Sequence, residues 1–175
     1  MIQVRFVSYQ YNRWMRAVDR LKVLAESERV NLPRKMSIDY IDQIRKNIYA
    51  DKYRAAYPKY SERYSVWKYL VFKSRGGFWF LRGELVTSLK SMQVKQGWFG
   101  GIPAGVLDSG NVSWFGKGDK GRRIPIAQYA YWLEYGRAGQ PSRPLFRPTL
   151  IEYYEGGKAL TRLGESKSTL MSGWR

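Results

Sequence analysis

The segment Tyr129–Leu150, YAYWLEYGRAGQPSRPLFRPTL, constrains the backbone of this chain more than any other stretch, because one central glycine and a set of prolines dictate where helices start and stop. Pro125 suits the first turn of a helix, where its missing N–H costs nothing, and Ile126, Ala130 and Leu133 then share one face. Gly136 is the expected stop, since glycine tolerates the left-handed conformation that ends helices, and Arg137-Ala138-Gly139-Gln140-Pro141 has loop composition. Pro144 and Pro148 push the residues before them toward extended backbone, so 143–147 is expected to run extended. A short helix then starts at Pro148, uses Leu150, Ile151 and Tyr154 as its apolar face, and ends at Gly156-Gly157. Arg143 and Arg147 are thereby held on stiff backbone. Their planar forks suit carboxylate or phosphate, as contacts between subunits or with DNA, or as clamps on the chain's own carbonyls or on Glu134.

With 175 residues the chain is long enough for one domain with a core and too short for two ordinary ones. It has no cysteine, which removes disulfides, thiol nucleophiles and thiolate metal sites, and no histidine, which removes the commonest general base and metal ligand. No enzyme activity, cofactor or metal is therefore expected. The formal charge of +17, from 31 Lys and Arg against 14 Asp and Glu, implies an anionic neighbour. DNA fits, because counterion release needs basic groups but no motif, and an acidic protein partner fits equally. No apolar run approaches the roughly 20 residues that span a bilayer, so synthesis in the cytoplasm without membrane insertion is expected. The 28 aromatic residues (7 Trp, 14 Tyr and 7 Phe) suit a subunit that buries surface against others.

Along the chain, Ile2–Val7 alternates like a half-buried strand. Trp14, Val18, Leu21 and Ala25 follow helical spacing from Asn12 to about Glu28. Leu32-Pro33 is expected to break that helix, and Ser37 to cap a second one with the stripe Ile38, Ile41, Ile44 and Ile48, which continues toward Tyr57. Val66–Phe72 is an apolar run compatible with strand or helix. Ser88–Lys95, with Met92 and Val94 on one face, and Trp98–Ile102 after Gly97 read as a hairpin. Val112–Phe115 is a further strand candidate. The fold class is thus α+β, with N-terminal amphipathic helices packed on a small antiparallel sheet with a long hairpin, and a C-terminal short helix. Residues 1–157 form a single domain, and 158–175 a flexible arm anchored, if at all, by Trp174.

Gly116–Arg123 matches GxGxxG literally, but two arginines and Pro125 intervene before the helix, and Glu134 falls too early to serve a ribose. A hairpin tip is the better reading, with Lys117, Lys120, Arg122 and Arg123 free to touch DNA phosphates or to remain solvated. Ser65-Val66-Trp67-Lys68 is an SxxK string without the second and third elements of a Ser-Lys acyl-enzyme. Asp39, Asp42 and Asp51 do not cluster as a hard-cation cage.

The segment Tyr129, Ala130, Tyr131, Leu133, Glu134, Tyr135, Gly136, then Pro141, Arg143, Pro144, Leu145, Phe146, Arg147, Pro148 and Leu150 resembles a signature of bacteriophage neck and tail-completion proteins. Gly83, Leu85, Ser88 and Leu89 partly resemble a second segment of that family, with Arg82 in place of its Thr. The resemblance spans about Phe78 to Gly157. It implies an α+β virion structural protein of the head-tail junction, a homo-oligomeric ring of six-fold or twelve-fold symmetry. Its neighbours would be portal, connector or head-closure proteins on one side and a tail terminator or tail tube on the other, with DNA crossing the lumen. Tyr131, Glu134, Tyr135, Arg143, Phe146, Arg147 and Trp174 are then the expected subunit or partner contacts. The alternative is a basic double-stranded nucleic-acid-binding module, for which no docking motif is present.

Overall fold

The computed structural model describes residues 8–59, 61–62, 65–66, 69–70, 83–107, 124–137 and 139–172. One helix, α1 (Ser8–Tyr49), runs through 42 residues and organises the rest. After it come a 3-10 turn (Arg54–Ala56), α2 (Glu84–Ser88), strands β1 (Lys90–Val94) and β2 (Gly97–Gly101), α3 (Ile126–Tyr135), α4 (Phe146–Glu155) and α5 (Lys158–Ser172). The architecture is α+β, as the sequence pattern implies. No helix among the described residues is long and apolar enough to cross a membrane.

The expected break at Leu32-Pro33 does not occur. Proline inside a helix removes one hydrogen bond and costs about 3 kcal/mol, yet Pro33 sits within α1. The hairpin, α4 and α5 all pack on this helix, and α5 is pinned to it by Arg162, whose guanidinium meets the Asp39 carboxylate at 2.5 and 2.9 Å. Tertiary packing overrides the local penalty. Ser37 is accordingly not a cap: its hydroxyl donates to the Arg34 carbonyl at 2.8 Å and shares a short hydrogen bond with Ser91 of β1. Helix α1 also ends earlier than expected, at Tyr49, and a turn through Asp51 leads to the 3-10 segment.

The stripe on α1 is narrower than its periodicity suggests. Ile41, Ile44 and Ile48 are buried with Leu85, Val86, Leu89, Ile126, Ala130, Leu133 and Leu145, while Ile38, Trp14 and Ala25 are exposed. Each fully buried Leu or Ile contributes about 1.5–3 kcal/mol, so this cluster is where the fold is held.

The hairpin pairs Lys90 with Gly101 through Val94 with Gly97, in a two-stranded antiparallel sheet. It is shorter than expected at both ends, because Leu89 turns from α2 into β1 and sinks into the core. Gly100 lets it approach α1 closely, since a Cβ there would lie 3.0 Å from the Ser37 carbonyl oxygen.

Two corrections concern the C-terminal third. Helix α4 starts at Phe146, not Pro148, so the extended run ends at Leu145 and the buried face shifts: Thr149 and Tyr153 face inward, whereas Leu150, Ile151 and Tyr154 are exposed. Residues 158–172, expected as part of a flexible arm, form α5, with Ala159 and Ser166 buried. Val66, Tyr69 and Leu70 have helical backbone. The expected strands Ile2–Val7 and Val112–Phe115, the loop with Lys117, Lys120, Arg122 and Arg123, and Trp174 lie outside the described residues.

Candidate functional site: an aromatic groove on a braced helix joint

The joint between α3 and α4 follows from the glycine and proline punctuation. Helix α3 begins after Pro125 and ends at Gly136, whose φ of +80° is strained for any residue with a Cβ. A Cβ there would also meet the Gln140 carbonyl oxygen at 2.9 Å. Arg137 and Gln140 exchange two backbone hydrogen bonds and turn the chain, and the Arg143 amide then donates back to the Leu133 carbonyl at 2.6 Å.

Glu134 closes the joint. One carboxylate oxygen accepts the amides of Leu145 at 2.6 Å and Phe146 at 3.0 Å, and the other accepts the amide of Arg147 at 3.0 Å. The first amides of a helix have no partner within it and carry its positive dipole end, so a carboxylate is the favoured acceptor. Pro148, the next residue, has no N–H to satisfy, and the Thr149 amide starts the helical ladder on the Leu145 carbonyl at 3.0 Å. Every donor at this terminus is accounted for, and that explains a helix entering two residues before its proline.

Of the residues expected to contact other subunits, Glu134 and Arg143 are used internally. Arg143 is 2% exposed and directs its guanidinium at the carbonyls of Pro141 (3.4 Å) and Pro58 (3.3 Å). It is a clamp on its own chain, one of the two readings open from the sequence. Tyr57 donates to the Pro144 carbonyl and Tyr40 to that of Phe146, at 2.9 Å for the latter, so the joint is also tied to the central helix and its extension. Burial, and after it the Glu134 carboxylate, push the Tyr40 phenol well above its ordinary range.

Tyr131, Tyr135, Phe146 and Arg147 are brought together instead on an open groove of about 730 Å³, bounded by α1, β2, α3 and α4. Tyr131 and Tyr135, one helical turn apart, have ring centroids 4.8 Å apart and are 59% and 69% exposed. The opposite wall holds Pro33, Met36, Trp98, Phe99 and Ile102, none of which the sequence points to as a contact residue. A signal was present: Trp98-Phe99 stands between Gly97 and Gly100-Gly101, an aromatic pair on a glycine-flanked strand with little else to pack. The Arg34 guanidinium lies 5.6 Å from the Trp98 ring centroid.

At the other end of α4 a polar cluster joins it to α1. Glu152 accepts from Gln43 (3.2 Å), Asn47 (3.2 Å), Tyr53 (2.9 Å) and Lys52 (2.5 Å), and Asn47 also donates to Thr149 at 3.0 Å. The Lys52 hydrogen bond, above all, holds the Glu152 carboxyl below its ordinary value, and the same bond raises the Lys52 ammonium. Each donor has a structural partner, so the cluster reads as a brace between helices. Among the described residues no group of acidic side chains is placed to hold a metal ion.

Comparison with protein-family models, with curated proteins and with solved structures finds no match to this chain.

Proposed function

We propose that the protein is a virion structural subunit of the phage head-tail junction, a neck or tail-completion protein that forms a ring around the DNA channel and joins connector to tail. The observation that carries this reading is the Tyr129–Leu150 segment. Its resemblance to the neck-protein signature coincides with one closed structural unit, in which Gly136, Glu134 and Arg143 serve the joint and Tyr131, Tyr135 and Arg147 are left facing outward. Residues spent inward fix the shape, and residues turned outward make the contact. The role is mechanical and binding rather than catalytic, in keeping with a chain that has neither cysteine nor histidine. The excess of basic charge suits a subunit beside DNA.

Mass measurement and negative-stain microscopy of the purified full chain test this. Closed rings of a single symmetry are expected. A monomer at all concentrations that shifts duplex DNA in a gel would instead favour the nucleic-acid-binding module. Replacing Tyr131 and Arg147 with Ala should disrupt the contact of the subunit with its neighbours while leaving the fold intact, because both side chains are exposed.

A further inference from the structure

The groove beside α3 and α4 has a chemistry that names its occupant. Phe99, Tyr131, Tyr135, Leu150 and Tyr154 are all exposed along it, an apolar surface of the kind that marks an interaction site. Among the described residues two charged ones line it. Glu134 has both oxygens filled by main-chain amides, which leaves Arg147, whose exposed guanidinium makes no ion pair among the described residues, as the open charge. Arg34 lies 5.6 Å from the Trp98 ring centroid but does not line the groove.

We propose that this groove docks an apolar segment carrying carboxylates, supplied by a different protein rather than by a second copy of this chain. The proposal rests on the reading of Tyr131, Tyr135 and Arg147 as a contact surface and specifies what meets it. A second copy is a poor occupant on charge. The chain has only 14 acidic residues against 31 basic ones, and at least seven of the acids, on α1, the turn after it, α4 and α5, are already ion-paired within the fold. Nucleic acid is a poor occupant on lining. Strand binding needs a row of cations tracking phosphates, whereas this groove offers Pro33, Met36, Ile102 and Leu150 between its aromatics. An acidic, apolar segment satisfies both the apolar lining and the open Arg147 guanidinium, as amphipathic helices do in apolar grooves.

Calorimetric titration of the full chain with three synthetic peptides tests the proposal: an amphipathic peptide with a Leu and Phe stripe and a Glu face, the same stripe with a Lys face, and the Glu face with Ala in the stripe. The first is expected to bind, and the other two at least about tenfold more weakly. Phe99→Ala with Tyr131→Ala should weaken the first peptide about tenfold, as loss of aromatic anchors does, and Arg147→Glu should erase the preference for the Glu face. Equal binding of all three peptides, equal binding by the groove variant, displacement of the peptide by an oligothymidylate, or self-association abolished by the same groove variant would each overturn it. Rings that fail to form while the Glu-face peptide still binds in the groove count against the ring reading alone. Normal rings with no peptide binding count against this occupant alone.

Discussion

Two carboxylates hold the two ends of α4, and they do so by opposite means. Glu134 reaches from α3, is buried, and accepts only main-chain amides of Leu145, Phe146 and Arg147. Glu152 belongs to α4 itself, is half-exposed, and accepts only side-chain donors from α1 and the turn after it. Main-chain donors cannot turn away when their acceptor is lost, and buried ones have no water to replace it. Side-chain donors at a half-exposed site find other partners. The contrast teaches that the first amides of α4 depend on one carboxylate, whereas the attachment of α4 to α1 is shared among several residues.

Replacing Glu134 with Gln is the strongest test of that contrast. The amide side chain keeps one acceptor oxygen but turns an N–H₂ group toward main-chain donors, so a loss of about 3 kcal/mol is expected from charge-assisted bonds that cannot be remade. Urea unfolding followed by circular dichroism measures it. A loss no larger than that of Glu152→Gln would erase the distinction between the two ends.

Glu152→Gln should cost about 1 kcal/mol or less at neutral pH, the size usual for exposed or half-exposed ion pairs. The pH dependence gives a sharper signature. The folded-state pKa of Glu152 lies below its ordinary value of 4.5. Its stabilising contribution is therefore present above that ordinary value and is lost as pH falls through the depressed folded-state value. Wild type and variant should differ at pH 7 and converge only once the pH has fallen below the depressed folded-state value, where the carboxyl is protonated in both states. A gap that widens on acidification would contradict the assignment of Lys52 as the principal partner.

The same contrast explains what was legible in the sequence. Pro125, Gly136 and Gly97 act through their own backbone, so the limits of α3 and the hairpin turn were readable from local rules. Pro33 also acts locally, yet its effect lost to packing from three elements that are remote in sequence, and no window around residue 33 contains them. At Pro148 the local rule gave a helix start two residues late. The deciding group was Glu134, which supplies acceptors to amides 11 to 13 residues away. The apolar face expected on Leu150, Ile151 and Tyr154 is exposed, and Thr149 and Tyr153 are buried in its place. Helix α5 escaped notice because it is polar, and its attachment rests on Arg162 with Asp39 and on Lys158 with Gln43 rather than on an apolar stripe. Of the groove, the α3 and α4 wall was legible through Tyr131, Tyr135, Phe146 and Arg147. The α1 and β2 wall was not, because only the fold brings Pro33 and Met36 beside Phe99.

The smallest expected effect concerns two tyrosines that touch under the groove. The rings of Tyr40 and Tyr153 meet edge to face with centroids 6.4 Å apart, but only one hydroxyl is used. Tyr40 donates to the Phe146 carbonyl at 2.9 Å, whereas the Tyr153 hydroxyl is buried without a hydrogen-bond partner among the described residues. Tyr40→Phe should therefore lose about 1 kcal/mol, the net value of a typical hydrogen bond. Tyr153→Phe removes a polar atom that burial has stripped of water and keeps the ring packing, so stability should stay level or rise by up to about 1 kcal/mol. Thermal unfolding of the two single variants and the double variant measures both terms, and it also reports whether the rings couple. A loss in Tyr153→Phe equal to that in Tyr40→Phe would mean that the Tyr153 hydroxyl is hydrogen-bonded in solution. The floor of the groove would then have a second polar anchor beside the Tyr40 bond to the Phe146 carbonyl.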